Sequence, residues 1–210
     1  MRGLIGETWR LLRTHGPAML VVALILLVPA ELAVAHAQTD SDDLGVAAYV
    51  ALALFGYPWV FGALIATVAH RARSPLEPYG RTVERLPALI AFNFVAGLAT
   101  LLALLLLIVP GLLLSARWSA ATGLIVLEGQ GPIQALETSN GLIRGRTWQV
   151  VGAGLLTLLL GLVLAAPGFL IAELTDSPWL FGLGNALFDV GLYLPLAALA
   201  YAVYRQARAV

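Results

Sequence analysis

Six long apolar segments dominate this sequence and limit what it can fold into. They cover roughly residues 17–37, 44–69, 87–109, 112–127, 147–172 and 179–204. An α-helix rises about 1.5 Å per residue, so about 20 mostly apolar residues cross the hydrocarbon core of a bilayer. The sequence therefore predicts an all-α membrane protein in which residues 1–210 form one domain of six transmembrane helices.

The composition favours the same class of protein and excludes several others. Hydrophobic residues make up 60% of the chain and charged residues 11%, whereas soluble domains are about a quarter charged. The formal net charge is zero, so no nucleic-acid partner is expected. The chain has no cysteine, which excludes disulfides, thiolate metal ligands and cysteine nucleophiles.

Short connections predict that the six spans form three hairpins. Only Pro110-Gly111 separates the third apolar segment from the fourth, and this dipeptide breaks a helix and permits a tight reversal. The alternative is one long kinked helix, which would exceed the thickness of the bilayer.

Arginine placement predicts the orientation of the spans. Eleven of the twelve basic residues flank the same ends of the predicted spans: Arg2, Arg10, Arg13, Arg71, Arg73, Arg81, Arg85, Arg144, Arg146, Arg205 and Arg208. The opposite loops carry Asp40, Asp42, Asp43 and Asp176 instead. Basic residues in short loops favour the cytoplasmic side. We therefore expect a multi-pass protein of the bacterial plasma (inner) membrane with both termini in the cytoplasm.

The first apolar segment could also be a cleaved signal peptide. Ala35-His36-Ala37 has the small-x-small form of a cleavage site, and arginines precede the apolar run. Pro29 and Glu31 within the segment, and its long charged lead, favour a retained first span.

A threefold pattern runs along the chain. Amphipathic segments at 3–13, 76–86 and 132–143 precede the first, third and fifth spans and are expected to lie at the cytoplasmic interface. Val28-Pro29-Ala30, Val109-Pro110-Gly111 and Ala166-Pro167-Gly168 also resemble one another. These features predict parallel repeats over 1–70, 75–128 and 131–208. The alternative is that any membrane hairpin has arginine-rich flanks and a proline near its turn.

Several short motifs carry a family resemblance. They are Glu7-Thr8-Trp9-Arg10-Leu11-Leu12, Ile108-Val109-Pro110-Gly111, Arg117, Glu128-Gly129, Ala135-Leu136, Ser139, Leu142 and Arg144-Gly145. With them the chain resembles bacterial six-span families related to the membrane domain of glycerophosphoryl diester phosphodiesterases, including YciC-like uncharacterised membrane proteins. Some relatives continue into a soluble catalytic domain. This sequence stops just after the sixth span, so we expect the fold from this resemblance and have no basis in it for predicting hydrolysis.

Four polar residues inside the predicted spans are candidate functional residues: Arg117, Asp189, Asn93 and Asn185. A charge at the bilayer centre costs about 2.5–3.5 kcal/mol on insertion scales and therefore usually has a partner. We expect Arg117 and Asp189 to pair, with Asn93 and Asn185 as possible polar lining. The pair could be a structural bridge or part of a polar pathway.

The arginines near the cytoplasmic face could contact anionic lipid, because guanidinium groups pair with phosphate. The candidates are Arg10, Arg13, Arg81, Arg85, Arg144 and Arg146, although setting topology explains the same residues. No metal site or cofactor is expected, because His15, His36 and His70 are scattered and the acidic run at 40–43 lacks the glycine turn of a calcium loop.

No sequence motif specifies a reaction: P-loop, Gly-x-Ser-x-Gly and His-Glu-x-x-His motifs are absent. We therefore expect a non-enzymatic scaffold, assembly factor or accessory subunit whose partners are membrane lipids and other membrane subunits or a second copy of itself. The alternative is a small transporter or lipid-handling protein with a polar site around Arg117 and Asp189. A cavity that reaches the middle of the membrane would favour the alternative, and a fully packed bundle would favour the scaffold.

Overall fold

The computed structural model describes residues 2–70 and 74–209, and all regular structure in that part of the chain is helical. The elements are α1 (Arg2–Asp40), α2 (Asp42–Ala51), a π-helical turn (Leu52–Gly56), α3 (Tyr57–Ala69), α4 (Glu77–Val83), α5 (Leu86–Leu106), α6 (Ile108–Arg117), α7 (Ala121–Glu128), α8 (Pro132–Ile143), α9 (Thr147–Glu173) and α10 (Pro178–Arg208). Arg71 and Arg73, which the charge argument counts, lie outside the described residues.

Six helical stretches in the described ranges are long and apolar enough to cross a membrane. They are Gly3–Asp40, Asp42–Ala69, Leu86–Leu106, Ile108–Glu128, Thr147–Glu173 and Pro178–Arg208. The second contains the π-helical turn, and the fourth contains the short turn between α6 and α7. The predicted all-helical class and number of spans are confirmed, and the chain is a multi-pass membrane protein.

The first span begins much earlier than predicted. α1 has 39 residues without a break and is therefore about 58 Å long. The prediction of a separate interfacial helix over 3–13 is wrong, because this segment is the first part of α1. Leu4 and Thr8 are buried, and Glu7 forms an ion pair with Arg205 at 2.5 Å. The segment packs against the end of α10, although Trp9 remains 47% exposed.

The other two predicted amphipathic segments do form separate helices. α8 begins at Pro132 and ends at Ile143, the bounds predicted. It buries Leu136 and Ile143, but Ile133, in its first turn, is 55% exposed. α4 is shorter than the predicted 76–86 and is tied to α1, because the Tyr79 hydroxyl donates to the Val22 carbonyl oxygen at 2.7 Å.

The chain reverses between α5 and α6 at Leu107, not at Pro110-Gly111. Leu107 is extended (φ −158°, ψ 136°) and precedes α6, which begins at Ile108. Pro110 sits in the first turn of α6, where backbone N–H groups have no helical partner and proline is tolerated. Gly111 packs directly on Leu104 of α5, since a Cβ there would lie 2.4 Å from the Leu104 side chain.

The tightest packing joins α9 and α10 through glycine and alanine. A methyl group at Gly184 would lie 2.6 Å from the backbone nitrogen of Ala172, and one at Gly191 would lie 2.5 Å from that of Ala165. Small residues let membrane helices approach to backbone contact, which raises their van der Waals attraction. This pair of helices, together with α1 and α3, forms most of the buried core.

α5 is the least covered span. Its buried residues are Leu89, Phe92 and Ala96, all in the first half of the helix. The second half is exposed, with Leu105 at 75% and Leu106 at 81%. The tip of the α5–α6 segment therefore stands away from the rest of the bundle.

Side chains at the arginine-rich ends of the spans connect distant parts of the chain. Arg208 forms an ion pair with Glu128 through its Nε at 2.7 Å and through its guanidinium NH2 group. The Tyr204 hydroxyl donates to the same carboxylate at 3.0 Å. These contacts join the end of α10 to the end of α7. They are largely exposed, and exposed ion pairs contribute only about 0–1 kcal/mol each.

Candidate functional site: a cavity within the membrane

A cavity of about 710 Å³ lies between the spans. Its walls come from α3, α5, α6, α9 and α10, together with parts of the π-helical turn and of α7. α5 packs on the π-helical turn and α3 along one edge, and α6 packs on α9 along the other. The α5–α6 segment thus covers a gap in front of α10, and this gap is the cavity.

The cavity extends along the middle part of the spans. On α5 its wall runs from Phe92 to Leu104, which is about 9 to 27 Å from the start of that helix at Leu86. On α10 it runs from Tyr193 to Ala200. The cavity therefore begins near the arginine-rich end of the spans and passes their middle.

None of the described residues that line the cavity is charged. Most are leucine, alanine, valine, phenylalanine or glycine, and the polar ones are Tyr57, Asn93, Thr100, Ser115, Trp118, Ser119, Thr122 and Tyr193. The walls resemble those of small-molecule pockets, which are mainly apolar with a few placed polar groups.

The polar groups of the wall are partly satisfied within their own helices. Asn93 donates from Nδ2 to the Leu89 carbonyl oxygen at 2.9 Å, so its Oδ1 keeps its capacity to accept. Ser115 and Ser119 donate to Leu112 and Ala116 at 3.0 and 2.8 Å. The side-chain oxygens of Asn93, Ser115 and Ser119 can therefore accept hydrogen bonds from a ligand.

A carboxyl group lies directly behind the tyrosine part of this wall. The Tyr57 hydroxyl donates to Oε1 of Glu31 at 2.8 Å, and the Glu31 side chain belongs to α1. Glu31 is only 2% exposed. The Tyr57 and Tyr193 rings pack with their centroids 5.3 Å apart. Both line the cavity, whereas Glu31 is not among its lining residues.

Asp189 of α10 belongs to the same cluster. Its carboxyl group interacts with both Glu31 and the Tyr57 hydroxyl. Its Oδ2 atom is buried and has no hydrogen-bond partner in the described part of the chain. Asp189 therefore interacts with another carboxyl group, Glu31, and not with the arginine that the sequence predicted.

The structure does not bring Arg117 and Asp189 together, so the predicted ion pair is wrong. Within the described ranges the ion pairs are Arg81–Glu77, Arg205–Glu7 and Arg208–Glu128. α6 turns Ala116 toward the cavity and leaves Arg117 exposed. Among the described residues, the hydrogen bond made by Arg117 is a backbone one: its carbonyl oxygen accepts from the Ser139 hydroxyl at 2.7 Å.

The two candidate asparagines also lie in different surroundings. Asn93 lines the cavity, whereas Asn185, one turn from Asp189 on α10, is partly buried outside the lining. Sequence reasoning did not include Glu31 among the candidate functional residues, although it recognised that Glu31 lies within the first apolar segment. Its position inside an apolar run was the available signal.

The candidate lipid-contacting arginines differ in their surroundings. Arg81 pairs with Glu77 at 2.7 Å, and Arg13 stacks over the Trp9 ring at 4.9 Å. The Arg85 guanidinium covers Gly129, whose backbone has φ +70°. The remaining three are exposed and make no ion pair with any described residue: Arg10, Arg144 and Arg146.

Residues 41–43 of the acidic run form the N-terminal cap and first turn of α2. Ser41 accepts a hydrogen bond from the Leu44 backbone nitrogen at 3.1 Å, and Asp42 and Asp43 lie in the first turn of α2. Acidic side chains there interact favourably with the helix dipole. The run therefore has a structural account that needs no ligand.

Comparison with protein families identifies a match. Residues 79–205 match DUF7847, a domain of unknown function. The matched segment begins in α4 and ends in the last turns of α10, so it includes most of the cavity wall and Asp189. No curated protein and no solved structure matches the chain.

Proposed function

We propose that this chain, which belongs to the DUF7847 family, is a lipid-handling membrane protein that binds an uncharged, largely apolar molecule between its spans. The observation that carries the proposal is the 710 Å³ cavity whose described lining contains no charged residue. Ligand pockets commonly have volumes of about 300–1,000 Å³.

The uncharged and mainly apolar walls favour an uncharged, apolar ligand. A charged solute would enter a region of low dielectric without a counter-charge in the wall, which is costly. An acyl chain or another apolar chain gains contact with Leu101, Leu104, Leu155 and Leu158 along the deeper part of the cavity. A polar but uncharged end could donate hydrogen bonds to Asn93 and Ser119.

The route of entry follows from the uncovered end of α5. Leu105 and Leu106 are exposed, and the chain is extended at Leu107. In a bilayer this tip contacts lipid, so a lipid chain can reach the cavity from the side. The proposal is therefore lateral uptake from the membrane.

The arginine distribution supports a plasma-membrane orientation with both termini cytoplasmic. Single cysteines at Ser74 and Asp176 test this, because the chain has no other cysteine and both positions are exposed. In intact bacterial cells we expect a membrane-impermeant maleimide to label Asp176→Cys and not Ser74→Cys. After cell lysis both should be labelled. The reverse pattern in intact cells would contradict the orientation.

A scaffold or accessory subunit, which the sequence favoured, is the competing function. In that case the cavity would be filled by a helix of a partner or of a second copy, and no small molecule would accompany the protein. The resemblance to the phosphodiesterase membrane domain remains a prediction and fits either function.

Mass spectrometry of the gently extracted protein tests the proposal. We expect about one molecule of an uncharged lipid or similar amphiphile to remain bound per chain after delipidation with excess detergent. Isolation with a stoichiometric protein partner and no retained small molecule would contradict lipid binding. The same spectra would then identify the partner.

A further inference from the structure

The acidic cluster beside the cavity consists of two carboxyl groups and a tyrosine hydroxyl, so it is not an ordinary ion pair. Glu31 comes from α1, Tyr57 from α3 and Asp189 from α10, so three spans meet there. Glu31 is 2% exposed and bonded to the Tyr57 hydroxyl at 2.8 Å. The Oδ2 atom of Asp189 is a buried acceptor without a donor among the described residues.

α1 and α10 approach each other closely near Glu31. A Cβ at Gly182 would lie 2.9 Å from the Glu31 carbonyl oxygen, so α1 and α10 are in backbone contact. Asp189 lies seven residues further along α10. Helical side chains point back toward the N-terminus of their helix, so the Glu31 side chain extends from this contact toward Asp189.

No described basic group faces the two carboxyls. α3 presents Tyr57, α10 presents Tyr193, and α2 contributes Tyr49 nearby. α9 presents Ala165 and Gly168 at this level. His36 lies further out on α1 and packs on Trp179 with a centroid distance of 5.3 Å.

We propose that Glu31 and Asp189 form a proton-binding site in which the two carboxyl groups share one proton. Two adjacent carboxylates in an apolar interior repel each other and cannot both remain ionised at low cost. A proton on one carboxyl becomes a donor to the other and supplies the hydrogen bond that the buried acceptor of Asp189 lacks. The site requires no ligand in the cavity and is independent of the proposed function.

The shared proton also connects the helices. While it is present, a carboxyl–carboxylate hydrogen bond joins α1 to α10, and Tyr57 attaches α3 to the same group. When it is lost, two like charges oppose the contact between α1 and α10. Tyr57 and Tyr193 belong both to this cluster and to the cavity wall, so loss of the proton alters the wall directly.

Infrared spectroscopy of the protein in lipid nanodiscs tests the site. We expect the wild-type protein at about pH 7, well above the usual carboxyl range of about 3.9–4.3, to show the C=O stretch of a protonated carboxyl. Carboxyl-specific ¹³C labelling of aspartate and glutamate should shift this band. Asp189→Asn and Glu31→Gln should each abolish it, because the remaining carboxylate keeps an amide or hydroxyl donor and no longer faces a like charge. Asp176→Asn, at an exposed position, should leave it unchanged.

The pH dependence of unfolding gives a second measurement. The unfolded chain releases this proton near its ordinary carboxyl values, whereas the folded protein still holds it at higher pH. Stability should therefore fall as pH rises from that ordinary carboxyl range to the pH at which the folded pair loses the proton, and level off above it. Asp189→Asn should remove this fall.

A wild-type protein without the infrared band would overturn the proposal, as would a band that survives in both amide variants. If the variants do not fold, the band and its isotope shifts in the wild-type protein decide alone.

Discussion

Phenylalanine at both Gly97 and Gly154 should remove the bound molecule from the cavity and leave the fold intact. These glycines lie on opposite walls, on α5 and α9, and a Cβ at either position meets no atom within 4 Å. A side chain can therefore begin at either position without a clash, and we expect the two phenyl rings to extend into the cavity. We expect retained ligand per chain to fall at least about tenfold, since a loss of about 1.4 kcal/mol suffices for that change. The measurement is quantitative mass spectrometry of the extracted protein.

Leu98→Phe is the matched control. Leu98 follows Gly97 on α5 but is 49% exposed and outside the cavity lining. It adds aromatic bulk to the same helix on the lipid-facing side, so ligand retention should match the wild-type value. Unchanged retention in the double phenylalanine variant, with native circular dichroism, would refute binding in this cavity.

Each of the single substitutions Gly184→Leu and Gly191→Leu should prevent the chain from reaching its folded state. At both sites even a methyl group would lie within 2.6 Å of α9 backbone atoms, and backbone cannot move aside as a flexible side chain can. A single Gly191→Ala change is expected to cost about 1–3 kcal/mol, the usual range for overpacking. Each leucine should cost more. Unfolding in mixed dodecyl sulfate micelles, followed by circular dichroism, measures the loss.

Gly154→Ala separates steric overlap from helix propensity. It makes the same chemical change on α9 at a site without a neighbour within 4 Å. Alanine is favoured over glycine inside a helix by about 0.5–1 kcal/mol, so this variant should be as stable as the wild type or slightly more stable. Equal destabilisation by Gly154→Ala and Gly191→Ala would mean that α9 and α10 do not pack through these glycines.

The polar residues show how sequence reasoning failed inside the membrane. Arg117 and Asp189 were paired because they are opposite charges in apolar segments. That argument assumes that both side chains face the bundle interior. On α6 the inward position is Ala116, and Arg117 is exposed. The partner of Asp189 is another acid, Glu31, which no rule of charge complementarity would select.

The cavity could not be predicted from the sequence for a related reason. Its lining residues are mostly the leucines, alanines and glycines found in any transmembrane segment, and they come from five spans. The reversal at Leu107 was also misplaced, because proline is compatible with both a turn and the first turn of a helix. Only the packing of α5 and α6 around Gly111 and Leu104 distinguishes the two positions.

The sequence by itself determined the all-helical class, the six spans and the bounds of α8. These properties depend on transfer of apolar residues into lipid and on local start signals, and both act within about 20 residues of chain. The tertiary structure decided that residues 3–13 continue into α1, that Glu31 and Asp189 lie together, and that a cavity separates α10 from the α5–α6 segment. Each of these depends on which face of a helix meets which neighbour. Lipid and protein interior are almost equally apolar, so hydrophobicity alone does not specify that face.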